Sequence, residues 1–405
     1  MAAKSTPSSR RRCPRARLLS RPDAGCLLAC GIDPASLPYL EPKLSHRVLL
    51  LEGVKIYIAN ILKQTMLSFG GDVAVHRGVI AGSVDYSDCV LMGDLRHYRK
   101  LVEKLHAQPG MTEVVEMIVG QVFGQRTELE LKLLDRLERW KTRPVIMGIL
   151  NVTPDSFSDG GAHLDQEAAV EHALAMISEG AQIIDIGGES TRPGAAEVPV
   201  TVEIERVITV IERLAQVSPV PISIDTRKAS VARRALDKGA CLINDVSALS
   251  DPEMMSLAAD SGAGVVLMHM RGTPATMQAD TAYADIVSEI YDFLEERINA
   301  CEEADIARQS IVIDPGIGFG KDLAGNLSLI KHIGEFRALG AALMLGHSRK
   351  SFIGQTLEAN VDEREEGTDA VSAWAMLEGV DIIRVHDVKR AARMRAMLKA
   401  IQGSK

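Results

Sequence analysis

Residues 145–161 read VIMGILNVTPDSFSDGG, and the pattern of this stretch recurs along most of the chain. Its first six residues form an apolar run of a length that suits one buried strand. The next eleven are rich in hydroxyls, carboxylates and glycines, which is typical of a solvated loop because these groups need polar partners. Asp165 then offers an N-cap for an amphipathic helix. The stretch predicts a strand, a polar loop and a helix, in that order.

The same order is repeated after residue 165. Predicted helices stop at a glycine that leads into an apolar run, as expected where a left-handed residue ends a helix; these glycines are 180, 239, 262, 340 and 379. Eight short apolar runs lie at 145–150, 183–186, 222–224, 242–246, 265–270, 311–313, 343–345 and 382–385. Eight such units in about 250 residues are typical of a (β/α)8 barrel, whereas a doubly wound open sheet rarely needs eight equivalent units. We therefore predict an α/β protein with a TIM barrel over residues 143–405.

The N-terminal part of the chain has a different character. Its first 22 residues contain seven basic residues and no acidic one, which fits either a disordered tail or an organelle-targeting peptide. A linker helix is predicted by apolar residues at helical spacing, namely Leu129, Leu133, Leu137 and Trp140. We expect a basic tail over 1–37, a small α/β domain over 38–127 and the linker over 128–142. No catalytic constellation is visible in this part.

Within the small domain, local patterns predict four elements. Strands are expected at 48–51 and 89–92, and helices at 61–67 and 95–106. Asp94 stands where it can cap the second helix.

Composition and charge restrict the class of function. A net charge of −8 and an aromatic content of 4% favour neither a surface that tracks phosphates nor platforms for stacking bases, so no nucleic-acid partner is expected. No run is long and apolar enough to span a membrane, so no membrane partner is expected. The six cysteines show no metal-ligand or disulfide spacing, which favours a reducing compartment. We expect a soluble, cytoplasmic protein.

Nearly every predicted barrel strand ends in a polar or ionisable group. These groups are Asn151, Gly187-Gly188-Glu189, Asp225, Asn244-Asp245, His269, Asp314, Ser348-Arg349-Lys350 and Arg384-Val385-His386. Barrel enzymes have their active sites where the strands end, and often bind phosphate after strands seven and eight. The last two groups supply donors for an anion, while the side chains at 225, 244 and 314 offer acceptors for a heterocycle with N–H donors. Of these histidines only His386 is given a functional role. His163, His172, His269, His332 and His347 form no metal-ligand pair and are interpreted as structural or surface residues.

Taken together, these motifs resemble those of dihydropteroate synthases. The resemblance rests on the run 147–161, GESTRPG at 188–194, Asp225, Asn244-Asp245, DPG at 314–316, SRKS at 348–351 and RVHD at 384–387. Each motif alone is weak, but all occur in the order of the family and extend from about residue 143 to the C-terminus. The family joins 6-hydroxymethyl-7,8-dihydropterin diphosphate to 4-aminobenzoate and releases pyrophosphate. The first ~140 residues fall outside the minimal family domain.

The resemblance implies a role for each matching residue. The pterin would be bound by Asp225, Asn244, Asp314 and Lys350, and the diphosphate by Arg384 and His386. Asn151 would be a ligand of the cofactor Mg²⁺. Asp159, in the first loop, would stabilise the cationic pterin that forms as the C–O bond breaks.

Further residues would bind 4-aminobenzoate or close the site. The resemblance implies that Phe157, Pro193 and Ser351 contact the aminobenzoate, and that Thr191 and Arg192 help to close the site. Lys350, Arg384, His386 and Asp159 are the predicted catalytic residues. Homodimers are typical of this family, so the resemblance also implies a homodimer here.

Two other functions use related chemistry. A pterin-binding methyltransferase has the same barrel, but it has no need for the diphosphate cluster or the Ser-Arg-Lys run. A non-catalytic pterin-binding protein is the second alternative, and the additional N-terminal unit favours it slightly. Release of pyrophosphate that requires both substrates separates the three.

Overall fold

The computed structural model describes residues 24–123, 144–152, 162–190 and 197–403. The chain divides into two compact units near residue 125. No helix in the described ranges is long and apolar enough to cross a lipid bilayer.

The N-terminal unit is built on a small antiparallel sheet. Its described elements are α1 (Ala24–Ala29), α2 (Leu37–Leu40), β1 (His46–Lys55), α3 (Ile56–Phe69), β2 (Asp72–Val75), α4 (Gly78–Ala81), β3 (Tyr86–Asp94), α5 (Leu95–His106) and α6 (Thr112–Val122). The strand order is β1-β3-β2. Buried residues from the sheet and from α3, α5 and α6 form one hydrophobic core, which includes Leu62, Leu91, Tyr98 and Ile118. This unit is therefore the predicted small α/β fold.

The predicted elements of this unit are confirmed, although three of the four are longer than expected. The helix at 95–106 matches α5 because Asp94 caps it: the carboxylate accepts from the backbone N–H of Arg96 and His97, and the His97 ring accepts from the Asp94 N–H. The short strand β2 and helix α6 were missed. Helix α1 lies within the range expected to be a tail, and the predicted linker helix lies outside the described residues.

The second unit is a closed barrel of eight parallel strands, as predicted. The strands are β4 (Val145–Asn151), β5 (Ile183–Gly187), β6 (Ile222–Asp225), β7 (Leu242–Asp245), β8 (Gly264–Met268), β9 (Ile311–Asp314), β10 (Ala342–Gly346) and β11 (Ile382–Val385). The helices are α7 (Ala162–Glu179), α8 (Val200–Val217), α9 (Ala229–Asp237), α10 (Pro252–Ser261), α11 (Ile286–Glu303), α12 (Leu323–Lys331), α13 (Ser351–Leu357), α14 (Glu365–Leu377) and α15 (Val388–Gly403). β11 pairs with β4 and closes the barrel.

One helix start differs from the sequence prediction. Helix α7 begins at Ala162, so Asp165 lies inside the helix and its predicted role as N-cap was wrong. Helix α11 begins at Ile286, where the carboxylate of Asp285 accepts from the N–H groups of Val287 and Ser288. The five glycines that were expected to end helices all have positive φ.

Candidate active site at the carboxyl ends of the barrel strands

Strand alternation places a set of polar side chains in the barrel lumen. Apolar residues such as Ile183, Leu242, Val312 and Ile382 form the inner core of the barrel, and their chain neighbours pack outward against the helices. The residue two positions further along each strand points to the same side. These residues are Asp185, Asn244, Asp314 and Arg384, and Asp225 follows the same rule on β6. The alternation therefore brings them together at one rim.

Arg384 lies between two carboxylates of this rim. Its Nε donates to Asp185 Oδ2 at 2.6 Å, and its Nη2 donates to Asp225 Oδ2 at 2.7 Å. Asn244 Nδ2 also donates to Asp185 Oδ2, at 2.9 Å. The Arg384 side chain is 19% exposed and thus still reaches the opening of the barrel. The structure places Arg384, predicted as a diphosphate donor, in an ion-pair network beside the predicted pterin residues.

Asp185 was not among the sequence-predicted site residues. It is fully buried, and its Oδ1 has no hydrogen-bond partner within the described residues. The signal that could have found it is the alternation, since it lies two residues before Gly187 at the strand end. A buried carboxylate two residues before the strand end looked like part of an apolar strand.

Asp314 and Lys350 form a second charged part of the rim. Asp314 is buried, and its Oδ1 accepts from the Gly316 N–H at 2.8 Å. The ammonium of Lys350 donates to the carbonyl of Ile317 and lies 4.3 Å from the centroid of the Phe319 ring. Asp314 at the end of β9 and Lys350, whose ammonium is held by the loop after β9, are therefore close enough for each charge to affect the pKa of the other.

Burial shifts the pKa values of these groups towards neutrality. Burial raises the pKa of Asp225 to about 7, opposed by the Arg384 cation and assisted by the Asp185 carboxylate. The pKa of Asp314 is also raised by burial, against the effect of Lys350. Burial lowers the pKa of Lys350 to about 8, opposed by Asp314. Small changes in their surroundings can therefore change the charge of Asp225 and Lys350 near neutral pH.

The two remaining basic residues at this end of the barrel have different surroundings. Ser348 Oγ lies 2.9 Å from Nδ1 of His386 and accepts the His386 N–H, which fixes the imidazole beside β11. Arg349 instead donates from Nε to Glu365 on α14 at 2.5 Å. Arg349 is therefore held by α14, whereas His386 stands next to the Arg384 strand end.

A cavity of about 430 Å³ adjoins the start of α13. Its lining includes Ser351, Lys321, Asn326, Gln278 and Gln355. Ser351, predicted to contact the aminobenzoate, is thus next to a space that can hold a small aromatic acid.

Another buried charge network involves the described residues at the two ends of the loop between β5 and α8. Glu203 is fully buried, and Lys228 Nζ donates to its Oε2 at 2.7 Å and to Glu189 Oε2 at 3.1 Å. Glu189 Oε1 also accepts from the Val198 N–H at 2.8 Å. Lys228 therefore joins the residues on both sides of that loop.

Five of the predicted site residues lie outside the described residues. They are Phe157, Asp159, Thr191, Arg192 and Pro193. Their predicted roles stay predictions.

Asn151, the predicted Mg²⁺ ligand, is the last residue of β4 and is half-buried at the same rim. Among the described residues no group of three or more histidine, cysteine or acidic side chains could hold a metal ion. A single amide oxygen fits a Mg²⁺ ion that takes most of its other ligands from substrate phosphates and water. The donor set is therefore compatible with Mg²⁺ bound together with the diphosphate.

Comparison with known proteins agrees with this geometry. Residues 147–386 match the family described as "Pterin binding enzyme". The chain is 46% identical to the dihydropteroate synthase of Escherichia coli (strain K12) over 285 residues, which cover 70% of this chain and 98% of that protein. It is 41% identical over 359 residues to a probable bifunctional folylpolyglutamate synthase/dihydropteroate synthase of Halobacterium salinarum, covering 88% of this chain and 43% of that protein. The second similarity is longer than the barrel, so it extends into the N-terminal unit.

Solved structures show the same similarity. The Xanthomonas albilineans dihydropteroate synthase with 4-aminobenzoic acid superimposes with a TM-score of 0.62 at 46% identity, over 65% of this chain and 94% of that chain. The Xanthomonas albilineans enzyme in complex with 7,8-dihydropteroate gives a TM-score of 0.60 at 43% identity, over 65% of this chain and 95% of that chain.

Proposed function

The chain belongs to the dihydropteroate synthase family of pterin-binding transferases, and from this premise we propose how its rim residues carry out the reaction. The amino nitrogen of 4-aminobenzoate forms a bond to the exocyclic carbon of 6-hydroxymethyl-7,8-dihydropterin diphosphate. The C–O bond to the diphosphate breaks, pyrophosphate leaves, and the amine loses one proton. The observation that carries this proposal is the convergence of Asp225, Asn244, Asp314 and Lys350 around Arg384 at one rim of the barrel.

We propose that the lumen carboxylates bind the pterin. Asp314 and Asp225 would accept from its amino and ring N–H groups, Asn244 would complete the pattern, and Lys350 would donate to the carbonyl side. An N–H donor favours the ionised form of a carboxylate, so pterin binding lowers the raised pKa values of both aspartates. Paired bonds of this kind can discriminate against an analogue that lacks them by about 10⁴–10⁵-fold.

Arg384 has two functions in this proposal. Its guanidinium forms ion pairs with the buried carboxylates of Asp185 and Asp225 and offsets part of the rise that burial causes in the pKa of Asp225. At the edge of the opening it also stabilises negative charge that develops on the departing pyrophosphate, with His386 beside it. Arg384 therefore links pterin binding to departure of the leaving group.

Asn151 is the described residue that would hold Mg²⁺ together with the diphosphate. When bound, the ion supplies positive charge that stabilises the leaving pyrophosphate. In the same proposal Ser351 and the adjoining cavity bind the aminobenzoate, with Phe157 and Pro193. Asp159 stabilises the cationic pterin, and Thr191 and Arg192 cover the site. A homodimer and a cytoplasmic location are further parts of the proposal that come from the sequence.

Measurement of pyrophosphate release tests the function. With Mg²⁺ present, release should require both the pterin diphosphate and 4-aminobenzoate, and 7,8-dihydropteroate should form in equal amount. Asp314→Ala is the matched control, since it removes an acceptor of the pterin and leaves the Arg384 network in place. Pterin binding without product would favour a non-catalytic pterin-binding protein. Methyl transfer from a methylated pterin would favour the methyltransferase, whose barrel needs no diphosphate site.

A further inference from the structure

Lys321 is a buried lysine that lines the cavity beside Ser351 and to which the proposed chemistry assigns no role of its own. It lies in the loop between β9 and α12, and 3% of its surface is exposed. Its Nζ is 2.8 Å from the carbonyl oxygen of Phe319, 3.3 Å from that of His269 and 3.0 Å from His269 Nδ1. A buried amine needs such partners, because burial removes its bonds to water. Lys321 thereby ties the residue after β8 to the loop that follows the neighbouring strand.

These three partners satisfy the Lys321 nitrogen in either charge state. Burial, and next the charge of Lys350, lower the pKa of Lys321 well below its usual value. Burial also lowers the pKa of His269 to about 3, so its imidazole is neutral. A neutral imidazole can accept a proton at Nδ1 from an ammonium or donate one to an uncharged amine. The hydrogen bonds of Lys321 to His269, after β8, and to Phe319, in the loop after β9, therefore persist whether or not Lys321 is protonated.

Other hydrogen bonds fix the same loop on both sides of Phe319. The N–H of Gly318 donates to Asn326 Oδ1 at 2.6 Å, and the hydroxyl of Tyr283 donates to the carbonyl of Gly320 at 2.9 Å. Lys321 holds the carbonyl of Phe319 itself. Three consecutive backbone groups are thus anchored, and the position of the Phe319 ring is set by them.

The loop fits closely against Lys350. The Lys350 ammonium lies 4.3 Å from the Phe319 ring centroid, a favourable contact between a cation and an aromatic face. A Cβ at Gly318 would come within 3.0 Å of Lys350 Cδ, and Gly318 has a φ of +83°. Only glycine lets the backbone adopt this conformation and approach Lys350 so closely. A shift of the loop would therefore move or release the ammonium of Lys350.

We propose that Lys321 is a positioning residue of this active site. By holding the Phe319 carbonyl against the end of β8, Lys321 keeps the Phe319 ring beside the ammonium of Lys350 and fixes the direction in which that ammonium donates. The inference rests on the proposed function, because it takes Lys350 to contact the pterin. If Lys321 only stabilised the barrel, its replacement would lower the melting temperature and leave kcat and KM unchanged.

A double-mutant cycle in the full-length protein separates the two roles. Lys321→Met keeps the aliphatic stem and removes the nitrogen, and Phe319→Leu removes the aromatic face. Each single variant should lower kcat/KM for the pterin diphosphate by at least about 10-fold. The double variant should be no more than about twofold worse than the poorer single variant, because both changes disrupt the same contact. Lys331→Met, on the exposed surface of α12, is the matched control and should behave like the unchanged enzyme.

The proposal is overturned if the two effects multiply, or if Lys321→Met lowers the melting temperature and leaves kcat and KM unchanged. If Lys321→Met does not fold, the cycle is run with His269→Asn, which disturbs the contact between His269 and Lys321 and retains the lysine. In that cycle too, effects that multiply overturn the proposal. Failure of the proposed function is recognised separately, because the unchanged enzyme would then form no dihydropteroate.

Discussion

The pH dependence of pterin binding follows from the raised pKa of Asp225. Burial is the largest cause of that pKa of about 7, and the ion pair with Arg384 offsets it only in part. The pterin N–H groups need an ionised acceptor, so protons compete with the pterin for Asp225. The affinity for the pterin is therefore highest at pH values above the Asp225 pKa of the free enzyme, and it falls as the pH decreases through that pKa.

The size of the effect can be worked out from this pKa. At pH 6 about one enzyme molecule in ten has Asp225 ionised, which weakens pterin binding about 10-fold, and at pH 5.5 about 30-fold. Asp225 alone should release about 0.9 proton per pterin bound at pH 6. On the alkaline side, the Lys350 pKa of about 8 should weaken binding again, so affinity is highest between these two pH values.

Isothermal titration calorimetry with a pterin that lacks the diphosphate is the appropriate assay, because phosphate groups titrate near pH 6 themselves. Measurement in two buffers of different ionisation enthalpy gives the number of protons released. Asp185→Asn removes the carboxylate that helps to raise the Asp225 pKa, so the acid midpoint should move down by about 1 unit or more. Affinity that is constant from pH 5.5 to 7.5, with the same enthalpy in both buffers, would refute the reasoning.

Three further predictions concern single parts of the protein. Asp314→Ala should abolish measurable pterin binding, because each unpaired buried group costs about 1–3 kcal/mol; unchanged affinity in calorimetry would remove Asp314 from the site. Arg384→Ala should slow turnover at least about 100-fold and raise the acid midpoint of pterin binding, since it removes the cation beside Asp225; wild-type turnover would contradict the leaving-group role. A chain that starts near Leu129 should keep turnover within a few-fold of the full-length protein, whereas a folded truncation that binds both substrates without forming product would place a catalytic element in the N-terminal unit.

The sequence by itself determined the architecture and most of the rim. Strand and helix periodicity and the glycines that end helices act within a few residues, so they can be read without knowledge of contacts. Parallel strands in a barrel end at one face, and this is why Asp225, Asn244, Asp314 and Lys350 could be assigned to one site. The start of α7 could not be predicted from Asp165, because the polar stretch before it offers several residues that suit a capping position and sequence patterns locate helix ends only to within a few residues.

The charge state and the pairing of these residues were decided by the tertiary structure alone. Arg384 meets Asp185 across 199 residues of sequence, a contact that exists only because β11 and β5 flank β4 in the closed barrel. The pKa of Asp225 depends on how much water the surrounding strands exclude, and no local pattern contains that quantity. No local pattern marks Lys321, whose nitrogen meets a histidine and two backbone carbonyls because β8 and β9 are neighbours in the barrel. Contacts between distant segments, and the desolvation that they cause, set the chemistry of groups whose positions the sequence had already indicated.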